Sequence, residues 1–265
     1  MPVNPYQSIE TGEPGRIGWR IHYFDEVDTT QRIAAEMARQ GAAHGTVIIA
    51  ELQTAGRGRM GRSWHSPPGV SLYSTTIARP QMPMARVPHL SLIAGVAAAE
   101  ALETVAPGIV ALKWPNDIWL NGRKTGGIIA EAMTDSSQQL AAVLIGIGIN
   151  VNLAAEAVPE DLRDKATSVR IATGRICDRT ALAAALFNRL DSRYIEAESS
   201  GFAAARPTYE SYLALKGKRV TVVDAASTTT GVIMGIDSDG ALLLDGGNGL
   251  NRILTGDVTL EGAYR

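Results

Sequence analysis

The 265-residue sequence predicts an α+β fold, with helices flanking a sheet, followed by a small all-β module. Three observations lead there. Short β-branched runs and alanine-rich helical stretches intermix up to about residue 213. Two of the strand-like runs are joined by Asn121-Gly122, a pair suited to a type I′ hairpin turn. From residue 216 only short β-rich runs remain, separated by turns such as Ser238-Asp239-Gly240. The expected division is 1–213 and 214–265.

Residues 1–20, rich in Gly, Pro and polar groups, are expected to form an extended lead-in. A strand follows over 21–27. Asp28-Thr29-Thr30 then offers N-cap side chains for a helix to about Gln40, with Gly41 as its C-cap. Residues 46–53 and 70–78 read as strands, and 87–105 as a helix stopped by Pro107. Strands are expected over 109–114, 117–120, 124–133 and 139–153. A long helix should span 179–199, with a short one before Leu213. In the β-rich module the runs 219–223, 229–236, 241–244 and 250–254 read as strands.

Composition narrows the function classes. A formal net charge of −2 argues against a broad nucleic-acid surface, which is usually basic. The single cysteine, Cys177, excludes an internal disulfide and fits a reducing cytoplasm. The first residues lack a basic stretch followed by an apolar one, so no signal peptide is expected, and no apolar run is long enough for a transmembrane helix. The histidines 22, 44, 65 and 89 are scattered without metal-ligand spacing.

Four stretches carry chemistry. Gly56-Arg57-Gly58-Arg59-Met60-Gly61-Arg62 alternates pliant glycines with permanently charged forks and suits an anion. It lacks the spacing of a P-loop. In 139–153, Ile145, Ile147, Ile149 and Val151 share one strand face, while Gly146, Gly148, Asn150 and Asn152 share the other. That flat face suits either a planar ligand or a close-packed neighbour. Lys113-Trp114-Pro115-Asn116-Asp117 puts a cation, an aromatic, an amide and a carboxylate at a bend, fit for a ligand or for plain solvation. Lys124 precedes Gly126-Gly127, where backbone and ammonium can approach one carboxylate or phosphate, or where the lysine is simply solvated.

Together, Asp28-Thr29-Thr30-Gln31, Gln53-Thr54-Ala55 with the loop 56–62, Ser63-Trp64, residues 113–117, Lys124 with Gly126-Gly127, and Gly148-Ile149-Asn150 resemble the biotin–protein ligases. The resemblance implies a catalytic domain related to class II aminoacyl-tRNA synthetases and an SH3-like barrel. It implies activation of biotin by ATP to biotinoyl-5′-AMP, then transfer to a lysine of a biotin carboxyl-carrier domain. By the same resemblance Thr29, Thr30, Gln31, Gln53 and Gly127 meet biotin, and Arg57, Gly58 and Arg59 close over biotin and the acyl phosphate. Lys124 bridges carboxylate and α-phosphate. Arg62, Trp64, Asn116 and Asn150 line the adenylate site with Arg59 and Lys124, and Asp117 orients or deprotonates the acceptor lysine. Mg²⁺ is implied by ATP, held mainly through phosphates, with no dedicated metal cage in the protein. Thr29 departs from the serine common in relatives but keeps the hydroxyl.

The short front of the chain is expected to encode no DNA-binding winged helix, and the protein is expected to act as a monomer or homodimer. Two rivals compete with this reading. A lipoate–protein ligase shares fold and adenylation chemistry, but the loop 56–62 and residues 113–117 favour biotin. A nucleic-acid-binding module built on the Arg/Gly loop leaves Lys124 unexplained.

Overall fold

The computed structural model describes residues 4–224, 227–247 and 249–261; residues 1–3, part of the expected lead-in, lie outside them. Seven strands form one sheet in the order β1-β2-β3-β7-β6-β5-β4. They are β1 (Arg20–Val27), β2 (Thr46–Gln53), β3 (Ser71–Ala78), β4 (Val110–Lys113), β5 (Asp117–Leu120), β6 (Arg123–Thr134) and β7 (Leu140–Asn150). The β1–β2 pair is parallel and the others are antiparallel.

Each face of the sheet has its own cover. Helix α1 (Thr30–Arg39) buries Ala34 and Ala38 against Ile48, Ile77 and Leu144. The opposite face, with Ile145, Ile147 and Ile149, packs into the main core with α2 (Val87–Glu103). Helix α2 is apolar nearly all round, as a helix enclosed on every side must be. Beyond β7 come α3 (Val169–Thr173), α4 (Arg179–Ser200) and α5 (Arg206–Tyr212). After the link from Leu213 to Lys218, a five-stranded antiparallel sheet runs in the order β11-β10-β9-β8-β12. Its strands are β8 (Arg219–Val223), β9 (Thr228–Ile236), β10 (Leu242–Asp245), β11 (Leu250–Ile253) and β12 (Asp257–Leu260).

The sequence expectation for residues 1–20 needs correction. Tyr6 and Ile17 are buried, and the buried Asp191 of α4 accepts from Ile17 N at 2.7 Å and Arg16 Nε at 2.5 Å. A carboxylate satisfied by a backbone amide and a guanidinium ties this segment to α4, although its composition looks like a loop. Helix α3 and strand β12 were not expected. Strand β7 ends at Asn150, so Asn152 leaves the expected face and exchanges two hydrogen bonds with the Cys177 backbone.

The two sheets touch through specific contacts. Trp114 Nε1 donates to the Gly240 carbonyl at 3.0 Å. Gly240 has φ +77°, and a Cβ there would lie 2.5 Å from Leu92 of α2, so only glycine fits this junction.

Candidate active site

Register builds the floor of the site. Gly148 pairs with Tyr73 on β3 and Gly127 on β6, and Gly146 pairs with Thr75 and Ile129. These residues share the face opposite the α2 core. The missing side chains at 146 and 148 admit close neighbours. A Cβ on Gly146 would sit 3.0 Å from Gln31 Oε1, and one on Gly148 would sit 2.8 Å from Trp64 Nε1. Gln31 Oε1 and Trp64 Nε1 are both buried without a protein partner. Unpaired polar atoms at a pocket wall are groups that a bound molecule can satisfy.

One end of the pocket is a polar relay at the start of α1. Thr29 is the N-cap, its hydroxyl accepting from Gln31 N. Thr30 donates to Gln53 Oε1 from its backbone N at 2.9 Å and from its hydroxyl at 3.2 Å. Thr75 donates to the Thr30 hydroxyl at 2.8 Å, and Gln53 Nε2 donates to Ser66 at 3.1 Å. Each side chain is held by another, so donors and acceptors are oriented before any ligand arrives. Gln31 Nε2 donates to Glu131 at 3.0 Å, and Arg57 approaches the same carboxylate at 3.7 Å.

The Arg/Gly loop folds back on itself. Gly58 N donates to Arg62 O and Trp64 N to Gly56 O, and Arg59–Gly61 makes a 3₁₀ turn. Exposed Met60 adopts a left-handed conformation at the loop tip. Arg59 reaches inward and donates to Asn116 Oδ1 at 2.9 Å, while Asn116 Nδ2 donates to Ile128 O at 3.0 Å. Burial lowers the Arg59 pKa, partly offset by the charge of Asp117.

A β-bulge aims Lys124. The β5–β6 register shifts between Ile118 and Trp119, leaving Thr125 as an extra residue whose hydroxyl donates to Asn150 O. The shift turns Lys124 toward Gly127, where a Cβ would lie 3.6 Å from the ammonium. Lys124 Nζ bonds Asp117 Oδ1 at 2.5 Å and lies 5.5 Å from the centre of the Trp64 ring. The neighbouring Lys113, paired with Asp117 across β4–β5, lies over the Trp119 ring, and its pKa is lowered by burial, opposed by the charge of Asp117 and aided by that of Lys124.

The pocket so enclosed holds about 480 Å³, counting its mouth. Of the expected site residues, Thr29, Thr30, Gln31, Gln53, Arg57, Gly58, Arg59, Trp64, Asn116, Lys124 and Gly127 line it. Asp117 sits behind Lys124. Two expected residues stand apart. Arg62 points outward and forms an ion pair with Asp257 at the start of β12. Asn150 is buried, with Nδ2 donating to Thr167 O at 3.0 Å. Tyr73, Ser74, Thr75, Ile128, Ile129 and Ile147 also line the pocket without having been singled out for it. Their positions follow from cross-strand register, which no local pattern announces. Among the described residues, no three His, Cys, Asp or Glu side chains gather as a metal cage.

Residues 23–150 match the Biotin/lipoate A/B protein ligase family, and residues 216–260 match the Biotin protein ligase C terminal domain. The bifunctional ligase/repressor BirA of Bacillus subtilis is 37% identical over 244 residues, covering 92% of this chain and 75% of that protein. The biotin–[acetyl-CoA-carboxylase] ligase of Paracoccus denitrificans is 32% identical over 238 residues, covering 89% and 98%. The structure of biotin protein ligase from Aquifex aeolicus in complex with biotin and ATP superimposes with a TM-score of 0.81 at 29% identity, covering 91% and 98%. With a glycine-floored pocket, an inward arginine loop and a bulge-aimed lysine beside these matches, the chain belongs to the biotin protein ligase family of enzymes.

Proposed function

We propose that this ligase joins biotin to ATP as biotinoyl-5′-AMP and then passes the biotinoyl group to a lysine of a biotin carboxyl-carrier domain of a biotin-dependent carboxylase. The observation that carries this reading is the convergence of Lys124 and Arg59 on one pocket whose other end is the Thr30–Gln53 relay. The relay offers fixed donors and acceptors to a cyclic urea, and Gln31 and Trp64, seated on the glycine floor, offer it their unpaired polar atoms. The cations sit where a carboxylate and a phosphate must meet.

In the first step a biotin carboxylate oxygen attacks the α-phosphorus, the bond to the β-phosphate oxygen breaks, and pyrophosphate leaves. Negative charge grows at phosphorus, and Lys124 and Arg59 stabilise it. In the second step the neutral carrier amine attacks the acyl carbon, the acyl–phosphate bond breaks, and AMP leaves. Asp117 orients that amine or takes its proton, once Lys124 has turned from it to phosphate. Thr29, Gln31, Arg57, Gly58 and Gly127 belong to the biotin end and Trp64 and Asn116 to the nucleotide end, which Arg62 and Asn150 would join only by leaving Asp257 and Thr167.

Magnesium would arrive with ATP, held through phosphate oxygens. Residues 1–213 carry the chemistry, and 214–265 form a module braced against it through Trp114 and Arg62. The protein would act as a monomer or a homodimer. The reaction belongs to the reducing cytoplasm, and no described helix is long and apolar enough to cross a membrane. Biotin-dependent ATP–pyrophosphate exchange, with lipoate as the control, tests the reading. Exchange with lipoate and none with biotin would overturn it.

A further inference from the structure

Glu131 stands beside the reaction pocket without lining it, yet two pocket residues lean on its carboxylate. It lies on β6 two residues past Ile129, so it shares the face that Ile129 gives to the pocket. Ile129 pairs with Gly146 on β7, and the missing side chain at 146 lets Gln31 cross from α1 to β6. Gln31 Nε2 then donates to Glu131 Oε2 at 3.0 Å, while Arg57 of the Arg/Gly loop stands 3.7 Å from Oε1. We propose that Glu131 is a positioning residue for biotin: it fixes the Gln31 amide so that the amide oxygen is the atom presented to a ureido N–H. The proposal rests on the ligase reading given above.

A carboxylate only accepts hydrogen bonds, so the amino end of the Gln31 amide must face Glu131. The carbonyl end is thereby turned over Gly146, where a Cβ would lie 3.0 Å from its oxygen. Gln31 is only 5% exposed, and this oxygen is buried with no protein partner. A buried acceptor of this kind calls for a donor, and a cyclic urea brings two N–H groups. Without Glu131 the amide could turn over and present its amino group, which repels a ureido N–H. Beside Glu131 the turned form sets the amide oxygen against the carboxylate and loses a hydrogen bond to a charged acceptor. The Arg57 contact contributes little by comparison. Both side chains are well exposed, at 59% and 40%, and 3.7 Å is too long for a hydrogen bond. Glu131 therefore acts on biotin through Gln31.

The test is a double-mutant cycle in the full chain: Glu131→Ala, Gln31→Ala and the two together. Biotin binding is titrated by calorimetry without ATP, and the KM values of biotin and ATP are measured in pyrophosphate exchange. Glu131→Ala should raise the Kd and KM of biotin about tenfold, the loss of one oriented hydrogen bond, and leave the KM of ATP unchanged. Added to Gln31→Ala, the same substitution should change biotin binding no further, because the amide it orients is already gone. An unchanged biotin Kd in Glu131→Ala overturns the proposal. So does an equal loss in the Gln31→Ala background, which would mean that Glu131 acts through Arg57 or through the strand. A KM for ATP that rises together with that of biotin overturns it too, as a general disturbance of the pocket. An unmodified chain that neither binds biotin nor exchanges would sink the ligase reading itself, a distinguishable result.

Discussion

Lys124 and Asp117 face each other at 2.5 Å across the β5–β6 hairpin, so the cation proposed for the first step is parked on the carboxylate proposed for the second. Each group guards the other until substrate arrives. Lys124→Ala removes charge stabilisation at phosphorus, and single-turnover adenylation should slow by about 10²–10³-fold. Asp117→Ala leaves that charge in place and should chiefly slow transfer to the carrier. Near-normal adenylation in the lysine variant, or complete loss of adenylation in the aspartate variant, would reverse the division of labour.

Arg59 bridges the loop to Asn116 and points at the pocket rather than at solvent. With Arg59→Gly the loop should keep its backbone closure through Gly58 N and Trp64 N but lose the grip on the acyl phosphate proposed for Arg59. Biotin should still be activated, while the adenylate escapes and labels lysines of bystander proteins. Adenylate dissociation followed by rapid mixing should be faster by about tenfold or more, the loss of one charged hydrogen bond. Dissociation as slow as in the parent would assign retention to another residue.

Gly148 is the seat of the Trp64 indole. A methyl group placed 2.8 Å from Nε1 forces the ring off the sheet, and with it the surface over which Lys124 lies. Gly148→Ala should therefore lower adenylation more than it lowers stability. Displacing the packed indole to admit a methyl costs about 1–3 kcal/mol, and Trp64 lies at the pocket wall. An unchanged rate with a lowered Tm would mean that the floor tolerates the methyl and the indole has no role there.

The motif chemistry was legible because it is local. The hairpin turn at Asn121-Gly122, the N-cap at Thr29 and the paired faces of β7 each follow from a few adjacent residues. The bulge at Thr125 was not legible, since it exists only relative to its partner strand, yet it decides where Lys124 points. Thr75 and Tyr73 enter the pocket through register with β7, a contact about 70 residues away in sequence. The lead-in read as merely extended because its anchor, Asp191, lies more than 170 residues downstream.

The acid limb of stability should trace in part to His44. Arg79 N donates to its Nδ1 at 3.0 Å, which only an unprotonated nitrogen can accept, and burial lowers its pKa. A lowered folded-state pKa contributes stability that is present above the unfolded value of about 6.5 and lost as pH falls through the folded one. His22 and His89 are lowered by the same cause and add to the effect. His44→Asn supplies a carbonyl oxygen that accepts from Arg79 N without titrating. Its Tm should fall less steeply than the parent's between pH 7 and 5, by up to one proton's share of the slope. Parallel curves for the two proteins would show that His44 is charged or solvated in the folded state already, and would move the acid sensitivity to the other two histidines.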